Sequence, residues 1–591
     1  MSSDKLVFDL SQEIEGSPNV FIKRDVLNIL DNMNAQYNSN VCVIDTSQLS
    51  NSNKYMSYRE AYLLVPLLLT LSTSNGCFNP GVAATSSDYA IGLKNWFGHI
   101  FHSMTVEYNG TSIIQQVPFS NMWNIFKLMT SLSWNDVITQ GSTIGFYPDD
   151  PLSWAFYATP GTSGQGTCNN TNYPSYVVDY NIASTFNTYS SKLGNVGFAR
   201  RQQFINFDLD GTPGDITYAT LLPQNAVNNL WKSYIFKKYP TAAATTGGIL
   251  EIAVTATVYL KHLHSFFAMM PLIKGAFLKI TLALNNTSTT FQTIGTANQY
   301  SLPVTSMTLT SVANAVGGVN PLMIASALAT NGGANMGGIT NDAVNPATYI
   351  ATVSVGGKCL NNTVASLANY APSPLAQSVY LYVPSYTFNP IFEQAYLSSP
   401  IKQIKYTDIY SYQIFNVAAN NGQVNSLLTN GISNIKSILI LNFFSATAGT
   451  ANTGLPTGVP VYQSPYDTAG CGTTSPLALL TNFNVILSGQ NMLYLTQKYA
   501  FEQFNNNLAS CNSVNGNLTD GLCSSLINSL GFEMAYCYFY VNLERKLPVE
   551  EAVPMSVQVV GTNNCGKALD LFCFIEYGVD ISIDILTGSR V

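Results

Sequence analysis

The sequence predicts an all-β protein built from two tandem β-sandwich domains, with long loop insertions and a few short helices. Three observations lead there. The first is a repeat of chemical character: Met104 to Phe126 reads MTVEYNGTSIIQQVPFSNMWNIF, and Phe483 to Phe504 reads FNVILSGQNMLYLTQKYAFEQF. Each copy opens on an extended apolar stretch, reverses at Asn109-Gly110 or Ser488-Gly489, resumes at Ile113-Ile114 or Met492-Leu493, and ends in an aromatic segment of helical spacing. Glycine reaches positive φ without steric cost, so each copy reads as a β-hairpin feeding a helix. The second is an abundance of short β-branched and aromatic runs parted by Gly, Pro, Asn and Ser clusters. The third is length, because 591 residues exceed what one growing core holds and call for at least two large domains.

Taken in order, Ser2 to Gly16 is a polar arm, with residues 1–20 ahead of the first sandwich. Asn40 to Thr46 and Tyr62 to Leu71 read as strands upstream of the first hairpin, and Ile404 to Phe415 and Ile435 to Phe444 take the same places upstream of the second. Leu250 to Leu260, Ala276 to Leu284 and Gln377 to Val383 follow the first hairpin. Glu533 to Leu543, Met555 to Val560 and Leu569 to Ile585 are their counterparts. In the last of these Val579, Ile581, Ile583 and Ile585 alternate with Asp580, Ser582 and Asp584, the period of a half-buried strand. The halves differ in their insertions: Ser142 to Tyr180, Asn285 to Pro374 and Ala446 to Ser475 are rich in Gly, Pro, Asn, Ala or Thr, with strand-like islands such as Val304 to Leu309. A boundary is expected between Thr387 and Pro400, where Pro384, Pro390 and Pro400 punctuate the chain around a short helix, Ile391 to Leu397. That divides the chain into 21–388 and 389–591. Two antiparallel sandwiches with long loops fit the jelly-roll architecture, which tolerates such insertions.

Composition narrows the function. Only 10% of residues are charged, against about a quarter in an average protein. A chain this neutral is expected to cover much of its outside with other chains; a neutral extracellular β-protein is the alternative. Net charge is −7, Lys5 stands against Asp4, Asp9, Glu13 and Glu15, and Arg200-Arg201 and Lys237-Lys238 are isolated pairs. Neutralising phosphates takes clustered cations, so direct nucleic-acid binding is not expected. The N-terminus lacks the charged and apolar regions of a signal peptide. The longest apolar run, Ala61 to Leu71, contains Pro66 and is too short to span a bilayer, so it reads as a buried strand. The ten cysteines are scattered without a Cys-x-x-Cys pair, and buried free thiols in a reducing compartment are expected. The sequons at Asn109, Asn169 and Asn517 would then go unused.

Signs of chemistry are sparse. Neither a phosphate-binding loop, nor a dinucleotide fingerprint, nor a His-Glu-x-x-His motif occurs. Gly161-Thr162-Ser163-Gly164 is one residue short of a nucleophile elbow. The four histidines form two pairs, His99 with His102 and His262 with His264. If Lys261 and its neighbours continued a strand, the second pair would share one face, an arrangement open to a metal but without an evident third ligand. Asp149-Asp150 and Glu550-Glu551 read as solvated loop acids, with calcium in an Asp-bearing loop as the alternative. No catalytic, cofactor-binding or metal-ligating residue is assigned, and no enzyme activity is expected.

The hairpin-helix EYNGTSIIQQVPFSNMWNIF, the strand-turn HLHSFFAMMPLIKGAFLKITLAL and the segment YTFNPIFEQAYLSSPIKQIKYTDIYSYQI together resemble the double jelly-roll major capsid proteins of icosahedral double-stranded DNA viruses, above all those of virophages. The resemblance runs from about residue 20 to residue 590 and rests on fold patterns. It implies a structural protein that forms pseudo-hexameric homotrimers tiling an icosahedral shell. Penton and minor capsid proteins would be partners, the virion the location, and the host cytoplasm or viral factory the place of assembly. The three insertions would be outer or trimer-contact loops. The rival of another class is a receptor- or carbohydrate-binding β-sandwich of fibre or lectin type, which shares the low charge and the Tyr/Asn/Gly loops.

Overall fold

The computed structural model describes residues 19–73, 89–148, 233–238, 248–292, 307–311, 322–326, 348–356, 377–444, 478–515, 526–544 and 552–590, apart from 494–498 and a few single positions within these ranges. Among the described residues, eight strands of each half form a matching pair of sheets. In the first they are β1 (Phe21–Leu30), β2 (Val41–Asp45), β3 (Tyr62–Thr73), β4 (Phe101–Tyr108), β5 (Thr111–Ile114), β6 (Gly248–Tyr259), β7 (Leu278–Leu284) and β8 (Tyr380–Phe388). In the second they are β9 (Ile401–Val417), β10 (Gly422–Ile432), β11 (Ile435–Phe444), β12 (Leu480–Leu487), β13 (Gln490–Asn491), β14 (Phe539–Asn542), β15 (Met555–Asn563) and β16 (Leu569–Asp584).

The pairing is the same in both. One sheet of the first half runs β1-β8-β3-β6 and the other β2-β7-β4-β5; one sheet of the second runs β9-β16-β11-β14 and the other β10-β15-β12-β13. All these pairs are antiparallel. The first strand of each half thus lies beside the last, and the second beside the seventh. Those are the crossovers of a jelly roll, and the molecule is two of them in tandem.

The repeat falls where the sequence places it. Both hairpins have two-residue loops with Tyr108 opposite Thr111 and Leu487 opposite Gln490. Asn109 and Gly110 have φ of 46° and 80°, Ser488 and Gly489 of 47° and 85°. Two successive positive φ values match the right-handed twist of the flanking strands, which explains the small polar residue and the glycine. Helices α1 (Ser120–Ser131) and α4 (Phe501–Asn515) follow the hairpins. Between α1 and α4 in the chain lie α2 (Trp134–Ile144), whose Ser133 and Asp136 form a reciprocal capping box, and α3 (Pro390–Leu397), capped by Asn389 with proline at its first position.

One correspondence read from the sequence needs correction. Ile404 to Phe415 is not the partner of Asn40 to Thr46: it lies within β9, whose counterpart is β1, and the counterpart of β2 is β10. Both overlooked strands are edge or outer strands with polar faces, FIKRDVLNIL and GQVNSLLTNGI, so their apolar alternation is diluted.

Strands within the insertion widen the first roll. Thr348–Val355 pairs with the upper part of β3, Thr287–Gln292 pairs with it, and Met307–Ser311 lies beyond. Pro66 marks the handover. Its β8 neighbour ends at Leu64 and the insertion strand begins at Leu67, while the Pro66 carbonyl accepts the Gly356 amide at 2.9 Å. In a strand the N–H and C=O of one residue point the same way, so the missing proline N–H faces the gap between the two neighbours. Of Ser142 to Tyr180, all of 149–180 lies outside the described residues, as does the whole of 446–475.

The core alternates as expected. Leu63, Val65, Leu67 and Leu69 of β3, with Ala256 and Val258 of β6 and Leu381 and Val383 of β8, point into the first sandwich and are buried. Ile438, Ile440, Phe539, Cys573 and Ile575 do the same in the second. The buried apolar residues of both rolls join into one continuous cluster, and its bridge is the site described next.

Candidate functional site at the junction of the two rolls

Helix α1 belongs to the first roll by sequence but carries a second face. Phe119, Trp123, Phe126 and Lys127 recur at helical spacing and meet the outer face of the β9-β16-β11-β14 sheet. Phe119 stands 5.1 Å from Phe572, Trp123 6.3 Å from Phe574, and Phe126 is edge-on to Tyr538 at 5.4 Å and stacked on Tyr540 at 5.6 Å. This cover is why residues 569–576 of β16 are buried on both faces.

The entry to α1 is strained. Phe119 caps the helix with φ 60° and ψ 24°, a left-handed conformation uncommon for an aromatic residue. Its amide donates to His102 Nε2 at 3.4 Å and its ring packs edge-on against His102 at 5.2 Å and against Phe572. Contacts from both rolls hold the conformation.

Polar groups complete the seam. Two nearly buried acids of the second roll each meet a donor from the first: Glu576 lies 3.6 Å from Lys127 and accepts Ser437 Oγ at 2.8 Å, and Asp408 lies 3.3 Å from His264 Nε2. Buried carboxylates are costly unless paired, so these contacts hold the seam in register. His264 Nδ1 accepts the Phe266 amide at 3.2 Å, which assigns the ring proton to Nε2 and makes it the donor to Asp408. Asp408 also accepts the Ile409 amide and the Tyr577 hydroxyl. Burial, and then the negative Asp408 beside it, push the Tyr577 phenol up. Between α1, residues 261–268 and β9 lies a cleft of about 190 Å³ lined by Met104, Trp123, Lys127, His262, His264 and Asp408.

The histidine pair does not share a strand face. Residues Leu260–Leu263 make a helical turn and His264 is the extended cap of Ser265–Met269, so the two rings part. His264 turns to the second roll, while His262 packs edge-on against Tyr259 at 5.8 Å and Trp96 at 6.2 Å. His102 is fully buried in β4 and His99 lies in the turn before it. Burial holds His102 and His262 down at about 4, with Lys261 adding to the effect at His262. Among the described residues no three His, Cys, Asp or Glu side chains converge as a ligand set. Asp149-Asp150, Glu550-Glu551, Gly161 to Gly164, Asn169 and Asn517 lie outside the described residues. Asn109 is built into its turn, its Oδ1 accepting the Phe277 amide at 2.9 Å. Cys42, Cys537 and Cys573 are buried and form no disulfide, and burial pushes Cys42 and Cys573 up. No helix among the described residues is long and apolar enough to cross a membrane.

Fold and seam together define the class: an all-β double jelly roll whose halves are fused through an aromatic helix face. No protein-family model and no curated protein matches the chain. Among solved structures, it is similar to that of the Sputnik virophage determined by cryo-EM, at 11% identity over 98% of this chain and 90% of that one, TM-score 0.45. It is similar to the mavirus major capsid protein at 10% identity over 98% and 92%, TM-score 0.41, and to the Faustovirus major capsid protein at 11% identity over 98% and 94%, TM-score 0.39.

Proposed function

We propose that the protein is a major capsid protein of a small, virophage-like double-stranded DNA virus, self-assembling as pseudo-hexameric homotrimers that tile an icosahedral shell. The observation that carries this reading is the duplication: two complete jelly rolls on one chain, fused through α1, in a chain with only 10% charged residues. Identical subunits that carry little charge repel one another weakly and can bury wide, hydrogen-bonding surfaces. In this reading the chain consists of an N-terminal arm (1–20), a first roll (21–388) and a second roll (389–591). Its role is structural and not enzymatic, without direct contact to nucleic acid or insertion into a membrane. Its partners are itself, neighbouring capsomers, and penton and minor capsid proteins. Its place is the virion, after assembly in the host cytoplasm or viral factory.

Negative-stain imaging of the purified chain tests the reading. Thick trimers of hexagonal outline that pack into arrays are expected. Monomers, or a non-assembling trimer retained on a glycan array, would overturn it in favour of a receptor- or carbohydrate-binding protein.

A further inference from the structure

Ser120, Trp123, Asn124, Lys127, Leu128 and Ser131 of α1, spaced i, i+3, i+4, i+7, i+8 and i+11, form one helical stripe, and this stripe is one wall of the cleft of about 190 Å³ at the seam. Residues 261–268 supply a second wall and residues 407–409 of β9 a third, so two walls belong to the first roll and one to the second. Hydrogen-bond donors on these walls outnumber the acceptors that serve them. Asn124 is only 6% exposed, yet its side-chain amide has no hydrogen-bond partner among the described residues. Lys127 stands 3.6 Å from Glu576, beyond hydrogen-bond distance, so its N–H groups are unspent. Lys261, over the Tyr259 ring at 5.4 Å, has no acid partner among the described residues. The one acid in the lining, Asp408, is already served by His264 Nε2, the Ile409 amide and the Tyr577 hydroxyl.

We propose that the cleft binds a small aromatic carboxylate, a single ring bearing one acid group, with the ring against Trp123 and the carboxylate held by Asn124, Lys127 and Lys261. A nearly buried amide and two ammonium groups without acceptors are matched by an anionic acceptor brought from outside, and bonds of that kind are the strong ones. The size of the ligand follows from the space. An apolar cavity of about 150 Å³ holds one benzene ring, so this cleft has room for a ring and a small acid group. Its apolar lining, Met104, Ile114, Trp123, Leu128, Leu263 and Ile409, suits the ring, and Trp123 offers it an aromatic neighbour. A ligand seated there touches α1, residues 261–268 and β9 at once. It binds only while the seam is closed, and its binding therefore adds to the stability of the seam.

Isothermal titration of phenylacetate into the full chain, with thermal melts alongside, tests the site. Saturable binding of one ligand per chain is expected, with a dissociation constant of about 1 mM or tighter for a ligand of this size and a higher melting temperature. Benzyl alcohol keeps the ring without the charge, and acetate keeps the charge without the ring; each should bind at least about tenfold more weakly. Lys261→Ala, at an exposed position where misfolding is not a concern, should weaken phenylacetate by about tenfold or more, the loss of one hydrogen bond to a charged group. Ala268→Phe should fill the cleft and abolish binding, while Lys405→Ala, on β9 outside the lining, should bind as wild type does. A wild-type chain that does not bind phenylacetate at about 10 mM overturns the proposal. So does unchanged affinity in either Lys261→Ala or Ala268→Phe, or benzyl alcohol binding as tightly as phenylacetate. None of these results bears on the capsid reading, which assembly decides.

Discussion

The Ser265 hydroxyl accepts the Thr407 amide at 3.1 Å and donates to the Thr407 carbonyl at 2.5 Å, so one side chain of the first roll satisfies both backbone groups of one residue in an edge strand of the second. An open edge is a template for unwanted pairing, and this contact occupies it at the seam. Ser265→Ala removes both bonds and leaves a part-buried amide and carbonyl unpaired, which costs about 1–3 kcal/mol. The measurement is the denaturation midpoint. An unchanged midpoint would show that Ser265 is incidental to the seam.

Trp123 joins the rolls through Phe574 on one side and Phe126 on the other. Trp123→Ala should cost about 3–5 kcal/mol, the range for emptying a large aromatic site. Because the lost contact lies between rolls, denaturant unfolding should split from one transition into two. A single transition with a small shift would mean that the rolls are coupled elsewhere.

Phe119 offers a reversal of the usual order of substitutions. At φ 60° alanine keeps the left-handed strain and loses the ring, while glycine loses the ring and relieves the strain. Phe119→Gly should therefore be more stable than Phe119→Ala by about 1 kcal/mol, although both fall below wild type. Thermal melts of the two variants decide it, and a more stable alanine variant would refute the strain.

Acid should loosen the first roll. His102 and His262 have folded values of about 4 against an ordinary 6.5, so below pH 6.5 the unfolded chain binds protons that the folded chain resists. Stability is therefore complete above pH 6.5 and falls as pH drops from 6.5 towards 4, by about 3 kcal/mol for each histidine. Protonated His102 Nε2 can no longer accept the Phe119 amide, so the damage reaches the entry to α1. Melting temperatures from pH 7.5 to 4.5 should show this slope, and His102→Gln should flatten it. A slope equal to that of wild type would exclude His102 as its source.

The parts of this architecture that were legible in the sequence are those where local chemistry and tertiary fate agree. Asn109-Gly110 and Ser488-Gly489 announce their turns because only small or flexible residues take two positive φ values in succession. Strand β3 announces itself because both its faces are largely buried. Strands β1 and β10 were harder to register because edge strands carry charge and amide groups on the side that faces away from the sandwich. The seam was not legible at all. The spacing of Phe119, Trp123 and Phe126 states that a helix has an apolar face, but not whether that face meets its own roll or the next. His262 and His264 misled because the apolar alternation of β6 runs on into Leu260, where the backbone coils without a change in composition.

Pro66 separates two jobs along one strand. Below it β3 is held by β8, a strand of the roll; above it β3 is held by Thr348–Val355, a strand of the insertion. Because the proline offers no proton to that side, neither neighbour gains a bond by growing into the other's half. The insertion can lengthen, shorten or be exchanged while the register of the roll beneath it stays put. Whatever the insertion carries can therefore diversify residue by residue on a frame that does not slide.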